Sequence, residues 1–190
     1  MKLNRILVPG ILVTTVLLSA PSLSNAEIIL APPPNWQPAP VNNSTVKIWF
    51  QNSTNSIFGI STGANSEPNF TLPLAFVAPI LAQIIADTGA LESTDQLSFG
   101  KSNYGYRYFL NLSSLPMEQI NATSLMLRDF GISHYVNDDS PLRAMIILTQ
   151  KHDDLYAILF LSPRQNFDIV LNQIKPTIDS IQLTDFTAAN

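Results

Sequence analysis

The 190-residue sequence contains no cysteine. Disulfide bonds and metal sites with thiolate ligands are therefore excluded, and so is membrane attachment through a lipidated cysteine. Stability has to come from the hydrophobic core. With 46% hydrophobic residues, the chain has enough apolar material for one domain with a core of its own, and too little length for two.

Charged residues are scarce, and basic residues are the scarcer kind. Only 13% of the residues are charged, and 10 Lys and Arg stand against 14 Asp and Glu, for a formal net charge of −4. An acidic surface repels the phosphate backbone of nucleic acids and anionic membrane faces. We therefore expect no nucleic-acid partner.

The apolar stretch at the start of the sequence is short for a membrane-spanning helix. It runs from Ile6 to Ala20 and is interrupted by a Pro-Gly pair, whereas a spanning helix needs ~20 apolar residues. Lys2 and Arg5 precede it, and Ser24–Ala26 resembles a small-residue cleavage site. We predict a signal peptide at residues 1–26 and an exported protein, extracellular or on the outer face of the membrane. The alternative is that the segment is not cleaved and remains as a signal anchor, which would attach the protein to the membrane.

Proline is concentrated just after this export segment. Ala31–Val41 contains five prolines, a composition that favours an extended polyproline conformation. We predict a stiff spacer at residues 27–41, a single domain at residues 42–185 and a short tail at residues 186–190. Trp36 is apolar enough to pack against the first strands of that domain.

The clearest structural pattern lies near the end of the sequence. Leu142–Thr149 and Leu155–Leu161 are apolar on both faces, which is typical of central strands. The polar residues 151–154 between them predict an antiparallel hairpin. Ser162-Pro163 then predicts a helix start, with a hydroxyl cap followed by proline at the first helical position. The apolar face of that helix consists of Phe167, Val170, Leu171, Ile174, Ile178 and Ile181, and Pro176 predicts a kink or a split within it.

The remaining elements are shorter. Strands are predicted at residues 45–51, 57–60, 95–99, 103–112 and 124–130. A helix lies between Thr71 and Gly89, and its regular part begins near Pro73 or only at Pro79. These elements predict an α+β fold, in which a mainly antiparallel sheet of six to seven strands is covered by helices as an αβα sandwich.

The closing hairpin and helix resemble the PsbP-like family. The matching residues are Tyr156–Leu161, Phe167, Ile174 and Ile178–Ile181, and Pro34-Asn35-Trp36 is similar to the opening of such domains. The namesake of the family is an extrinsic photosystem II subunit, and its relatives include Ran-binding Mog proteins and secreted prokaryotic proteins. The resemblance covers residues 34–183 and implies a non-enzymatic accessory role, although family members differ in what they contact.

Gly59-Ile60-Ser61-Thr62-Gly63 matches the five-residue pattern of a hydrolase nucleophile elbow. That motif requires a sharp turn from a strand into a helix, whereas Ala64–Pro68 has the composition of a loop. Asp139 and His152 are the residues that could complete a triad. We predict no catalytic residue, and an exported serine hydrolase that uses Ser61 is the alternative function.

Two polar turns carry residue types that bind metals. They are His152-Asp153-Asp154 and Asn137-Asp138-Asp139, and neither has the spacing of a calcium loop. Polar residues are also the usual means of reversing a chain, and His134 stands alone. We predict neither a metal site nor a cofactor.

Alternation along the strand at residues 103–112 places Tyr104, Tyr106 and Tyr108 on one face and Arg107 on the other. Such a row is either a binding platform for a sugar or a partner, or a part of the core beneath a helix. The three tyrosines form the candidate binding face.

Six Asn-x-Ser/Thr sequons are candidate glycosylation sites of an exported protein. Three of them fall in predicted turns or loops, and one lies at a strand end. The six asparagines are Asn42, Asn43, Asn52, Asn69, Asn111 and Asn121. The whole sequence thus predicts a secreted or cell-surface PsbP-like domain without enzymatic activity, which binds a small ligand or an extracellular or membrane-bound protein complex.

Overall fold

The centre of the computed structural model is one antiparallel sheet of seven strands. The structure describes residues 26–39, 46–63, 73–114, 141–151 and 154–185. Its strands are β1 (Ala26–Ile29), β2 (Gln37–Pro38), β3 (Val46–Gln51), β4 (Ser56–Gly63), β5 (Leu91–Phe99), β6 (Asn103–Asn111), β7 (Leu142–Lys151), β8 (Asp154–Pro163) and β9 (Gln182–Asp185). The large sheet has the order β2-β3-β4-β8-β7-β6-β5, and β1 pairs with β9 separately.

One helix covers each face of this sheet. Helix α1 (Leu74–Ala86) packs through one stripe onto the face that carries Tyr108, Ile146 and Leu159. Helix α2 (Phe167–Ser180) packs onto the opposite face, which carries Phe58, Ile147 and Phe160. The two hydrophobic clusters are separated by the sheet, so the architecture is a three-layer αβα sandwich. The predicted fold class is confirmed.

The hairpin of β7 and β8 forms as the sequence predicts. The two strands pair over their whole length, from Leu142 opposite Pro163 to Lys151 opposite Asp154. Both strands are buried over most of their length because helices cover the two sheet faces. This explains why their sequences are apolar at nearly every position rather than at alternate positions.

Helix α2 begins four residues later than the sequence predicts. Ser162 and Pro163 are the last residues of β8, and the helix starts at Phe167 after a turn at residues 164–166. The Ser162 hydroxyl does not cap the helix because it is buried in the sheet, where it accepts a hydrogen bond from the Ser56 hydroxyl at 2.9 Å. The helix is not split at Pro176, which lies on its exposed side.

Helix α1 begins near Pro73, and not at Pro79. Its first residue is Leu74, and the amide of Phe76 donates to the Pro73 carbonyl at 2.8 Å. Pro79 lies inside the helix and is exposed. Its missing N–H affects only the solvent side, so the buried stripe of the helix stays regular. Gly89 follows the helix at a φ of 76°, which agrees with the predicted stop.

The segment that the sequence analysis assigns to a spacer contributes to the fold. Strand β1 pairs with β9, and β2 pairs with β3 at the edge of the large sheet. Ile28 and Trp36 are only 7% and 8% exposed, and both belong to the cluster beneath α2. The Lys47 ammonium donates to the Ile28 carbonyl at 2.9 Å, which links β1 to β3.

Several predictions lie outside the described residues. These are the signal peptide up to residue 25, the strand at residues 124–130 and the tail at residues 186–190. Neither of the two described helices combines the length and the apolar character needed to cross a bilayer.

Candidate functional site

A pocket of about 490 Å³ opens at one end of the large sheet, where four parts of the chain meet. Lys101–Tyr104 forms the turn between β5 and β6, and Gln150–Lys151 ends β7. Leu74 begins α1, and Gln182–Leu183 belongs to β9. The pocket therefore lies where the sheet, the start of α1 and the strand after α2 converge. Its volume is in the range of small-molecule sites.

The wall between the β5–β6 turn and the end of α2 is held by close backbone contact. Gly100 has a φ of 58°, and a Cβ at this position would overlap the carbonyl oxygen of Ile181. Glycine is therefore required here for both conformation and space. The Asn103 side-chain amide donates to the same Ile181 carbonyl at 3.0 Å. The turn is thus fixed against the chain that leaves α2.

The opposite wall is held by side-chain hydrogen bonds. The amide of Leu74 donates to the Gln150 side-chain oxygen at 2.7 Å, which joins the first residue of α1 to β7. The Thr149 hydroxyl donates to the Tyr104 carbonyl at 2.7 Å. These bonds connect the pocket residues of three different elements. The pocket is therefore formed before any ligand arrives.

The pocket is positively charged although the chain is acidic. Lys101 and Lys151 line it, and among the described residues that line it none carries a carboxylate. Within the part of the chain that the structure describes, neither lysine forms an ion pair, whereas Arg107, Arg143 and Lys175 do. Two ammonium groups with no paired carboxylate favour the binding of an anion.

The three tyrosines of the candidate binding face do lie on one side of β6, but in three different environments. Tyr104 is 47% exposed and lines the pocket. Its ring meets that of Tyr106 edge-on, with the centroids 5.8 Å apart. Tyr108 is fully buried beneath α1, and its hydroxyl donates to the Ala78 carbonyl at 2.9 Å. Tyr104 is thus exposed at the pocket, and Tyr108 belongs to the core.

Two of these phenols have shifted pKa values. Burial raises the pKa of Tyr108 well above its ordinary value, and the nearby Tyr106 adds to this effect. Partial desolvation, the charge of Tyr106 and a hydrogen bond with it raise the pKa of Tyr104. Both tyrosines are therefore neutral at physiological pH, and Tyr104 adds no negative charge to the pocket.

Arg107 lies on the opposite face of β6, as alternation predicts. Its guanidinium forms two hydrogen bonds with the Asp95 carboxylate of the neighbouring strand, at 2.9 and 2.5 Å. It also lies 5.0 Å from the centroid of the Phe109 ring. Arg107 therefore links β6 to the edge strand β5 and takes no part in the pocket.

Ser61 does not have the geometry of a nucleophile elbow. It lies inside β4, with β3 on one side and β8 on the other, opposite Val46 and Ala157. Its exposure is 1%, and β4 continues in extended conformation to Gly63. An elbow instead places the serine at a sharp strand-to-helix turn with its hydroxyl exposed. Ser61 is therefore a polar residue of the sheet interior.

The candidate metal-binding turns fall mostly outside the described residues. His134, Asn137–Asp139 and His152–Asp153 are among those not described, whereas Asp154 begins β8 opposite Lys151. Among the described residues no group of three or more His, Cys, Asp or Glu side chains is arranged to hold a metal ion.

Two of the six candidate glycosylation sites lie in the described part of the chain. Asn52 is exposed in the short 3-10 turn after β3. Asn111 ends β6 and is half-buried, and its side-chain oxygen accepts hydrogen bonds from the amide and the hydroxyl of Ser113. Asn42, Asn43, Asn69 and Asn121 are outside the described residues. Use of any of these sites stays a prediction.

The sequence analysis missed the two pocket lysines. Lys151 appeared only as part of a polar break, and Lys101 was not considered. What brings them together is the strand order, because β5, β6, β7 and β8 are neighbours in the sheet in the order in which they follow along the chain. In such a meander the β5–β6 and β7–β8 turns lie at the same end. The two lysines are therefore neighbours once the strand order is known.

The comparisons with known proteins concern structure alone. No family model matches the chain, and no curated protein matches its sequence. Cyanobacterial PsbP from Synechocystis sp. PCC 6803 aligns with a TM-score of 0.48 and 10% identity over 86% of this chain and 95% of its own. In structure the chain is similar to PsbP-like proteins. LpqN of Mycobacterium tuberculosis, described as involved in cell envelope biogenesis, aligns with a TM-score of 0.45 and 6% identity over 88% of each chain.

Proposed function

We propose that this protein is an exported, non-enzymatic accessory module that acts by binding. Its ligand site is the pocket between the β5–β6 turn and the end of β7. The observation that carries the proposal is the construction of the pocket. Four parts of the chain are held around one opening by the contacts of Leu74 with Gln150 and of Asn103 and Gly100 with the chain after α2. Sites that are formed in advance lose less conformational entropy on binding.

The charge distribution supports the same proposal. The chain has a net charge of −4, yet this opening presents Lys101 and Lys151, and no carboxylate is found among its other described lining residues. Arg107 and Arg143 are instead engaged with Asp95 and with Glu92 and Asp168. Unpaired cations in a concave site are better suited to recognising a ligand than to stabilising the fold, because exposed charges contribute little to folding stability.

Recovery of the protein from its native host tests the proposal. Tagged protein is isolated from the extracellular and membrane fractions and examined by native mass spectrometry, beside the pocket variant Lys101→Glu/Lys151→Glu. Arg164→Glu is the control, since Arg164 is exposed in the turn after β8, at the other end of the sheet. We expect wild type and control to retain the same bound molecule or stoichiometric partner, and the pocket variant to lose it.

Two results would contradict the proposal. One is equal retention by the pocket variant and the wild type, which would place the binding site elsewhere. The other is labelling of the protein by a fluorophosphonate probe that disappears in Ser61→Ala, which would establish the hydrolase alternative. The burial of Ser61 in β4 leads us to expect no labelling.

A further inference from the structure

We infer that the pocket takes a small organic anion, that is, a molecule with one carboxylate or phosphate group attached to an apolar or aromatic body. This inference rests on the proposed function, which makes the pocket a ligand site. It adds the chemical class of the ligand. The argument combines the charged and the apolar parts of the pocket wall.

The charged part consists of Lys101 and Lys151. They come from different turns, and the meander of β5 to β8 brings those turns to the same end of the sheet. Each ammonium offers three N–H donors, a positive charge and no acceptor, so an oxyanion, which supplies both acceptor oxygens and negative charge, suits the two lysines better than a neutral or cationic group. The start of α1 adds partial positive charge, although the amide of Leu74 is already bonded to Gln150.

The apolar part is mainly the ring of Tyr104, with smaller contributions from Leu74 and Leu183, which are 8% and 4% exposed. Tyr104 is 47% exposed at the pocket, which leaves part of its ring accessible for stacking beside its T-shaped contact with Tyr106. A free inorganic anion would leave this surface wet. A ligand that carries an apolar body beside its charged group covers both parts at once.

The volume limits the size of the ligand. About 490 Å³ is enough for a small molecule and too little for a folded partner or a long lipid chain. Ser102 and Gln182 also line the pocket and offer hydrogen bonds to polar substituents. The pocket therefore matches a compact organic acid or phosphate ester.

Four probes test the inference on the full-length protein. Phenylacetate and phenyl phosphate carry both an anionic group and a ring, acetate lacks the ring, and benzyl alcohol lacks the charge. Backbone amide shifts of residues 101–104 and 182–183 are followed by NMR. We expect saturable shifts with the two ring-bearing anions, and at least ten-fold weaker binding of acetate and benzyl alcohol. A preference between the two anions tells a carboxylate from a phosphate ligand.

Variants assign the contacts. Lys101→Gln and Lys151→Gln should each weaken phenylacetate binding by roughly three- to five-fold, which is the range of one partly exposed charge pair. Tyr104→Ala should weaken the binding of phenylacetate and leave the binding of acetate unchanged. Arg164→Gln, a matched loss of charge at the other end of the sheet, should change neither. Binding should also weaken when the salt concentration is raised from about 0.05 M to about 0.5 M, because the Debye length shortens and the charges of the lysines are screened.

The inference is overturned if benzyl alcohol binds as well as phenylacetate, if the shifts fall outside the pocket, or if Arg164→Gln weakens binding as much as the lysine variants do. Its failure is distinguishable from failure of the proposed function. A neutral molecule retained from the native host and lost in the pocket variant would refute the anionic class and leave the binding module standing.

Discussion

The side chains of β6 show how one residue type has different roles along a single strand. Tyr104, Tyr106 and Tyr108 share a face, and their exposure falls from the pocket towards the middle of α1. Alternation predicts the shared face but not this gradient, which depends on where α1 lies. Tyr108 has the strongest structural role of the three, because its hydroxyl is buried and bonded to Ala78.

Replacement of Tyr108 by phenylalanine tests that role and the direction of its pKa shift. At pH 7 we expect the free energy of unfolding to fall by about 1 kcal/mol, because the hydrogen bond to Ala78 is lost. In the wild type, burial keeps the phenol protonated in the folded state, whereas the unfolded state releases the proton above its ordinary pKa near 10. Stability should therefore fall above pH 10 by up to about 1.4 kcal/mol per pH unit.

Urea unfolding of both proteins between pH 7 and 11 measures these effects. The difference between wild type and Tyr108→Phe isolates the contribution of Tyr108 from that of all other groups. Tyr104→Phe is the control at pH 7 and should be nearly neutral, because Tyr104 is exposed. A wild type whose stability rises relative to Tyr108→Phe above pH 10 would show that the sign is wrong.

Among the elements, α2 shows which properties of a helix can be read from sequence. Its apolar face is predicted correctly, since Phe167, Val170, Ile174 and Ile178 are all buried. Its first residue is predicted wrongly, because Ser162-Pro163 has the composition of a helix start but completes β8. Local preference is overridden here by a tertiary contact, the buried hydrogen bond between Ser56 and Ser162. A bond between residues so far apart in sequence leaves no local signal.

Phe167 is the anchor of α2. It is fully buried, its ring centroid lies 5.0 Å from that of Phe160, and the Arg143 guanidinium lies 4.6 Å from its centroid. Phe167→Ala should lower the free energy of unfolding by about 3–5 kcal/mol, through the lost burial and the cavity left behind. Ile169→Ala on the same helix is the matched control and should cost under about 0.5 kcal/mol, since Ile169 is 64% exposed.

Chemical denaturation of both variants measures the difference. Equal losses would mean that α2 packs through another face, and the account of the core beneath α2 would then be wrong. A helix that remains folded in Phe167→Ala, with reduced cooperativity, would agree with the loss of its main contact to the sheet.

For the whole molecule, the fold class was predictable and the site was not. The hairpin, the two helical stripes and the polar turns are local patterns, and together they specify a layered antiparallel sandwich. The pocket depends on which turns share an end of the sheet and on how closely Gly100 approaches Ile181. Neither is a local property. Lys101 and Lys151 are 50 positions apart in sequence and become neighbours only through the strand order.

The segment before residue 42 is the other feature that composition describes poorly. Its prolines indicate extended chain, and residues 26–29 and 37–38 are indeed strands, but a turn at residues 34–35 lies between them, and Ile28 and Trp36 fill the cluster beneath α2. Proline is compatible with this placement because β2 lies at the edge of its sheet, where a missing N–H breaks no ladder. An extended segment can therefore belong to the core.

Two shortened chains decide between a spacer and a part of the domain. A chain beginning at residue 27 keeps Ile28 and Trp36, and should unfold in one cooperative transition. A chain beginning at residue 42 loses both side chains and the pairing of β1 with β9. It should be less stable by about 3 kcal/mol or more, because burial of each large apolar side chain contributes about 1.5–3 kcal/mol, partly offset by the freedom that the chain ends regain.

Point substitutions in the longer chain separate core packing from chain length. Ile28→Ala should lower the free energy of unfolding by roughly 2 kcal/mol, whereas Ile29→Ala, at a neighbouring position that is 45% exposed, should leave it nearly unchanged. Urea midpoints of all four proteins give the comparison. Equal midpoints for the two shortened chains would support the interpretation of this segment as a spacer, since a segment that only connects contributes nothing to the stability of the domain that follows it.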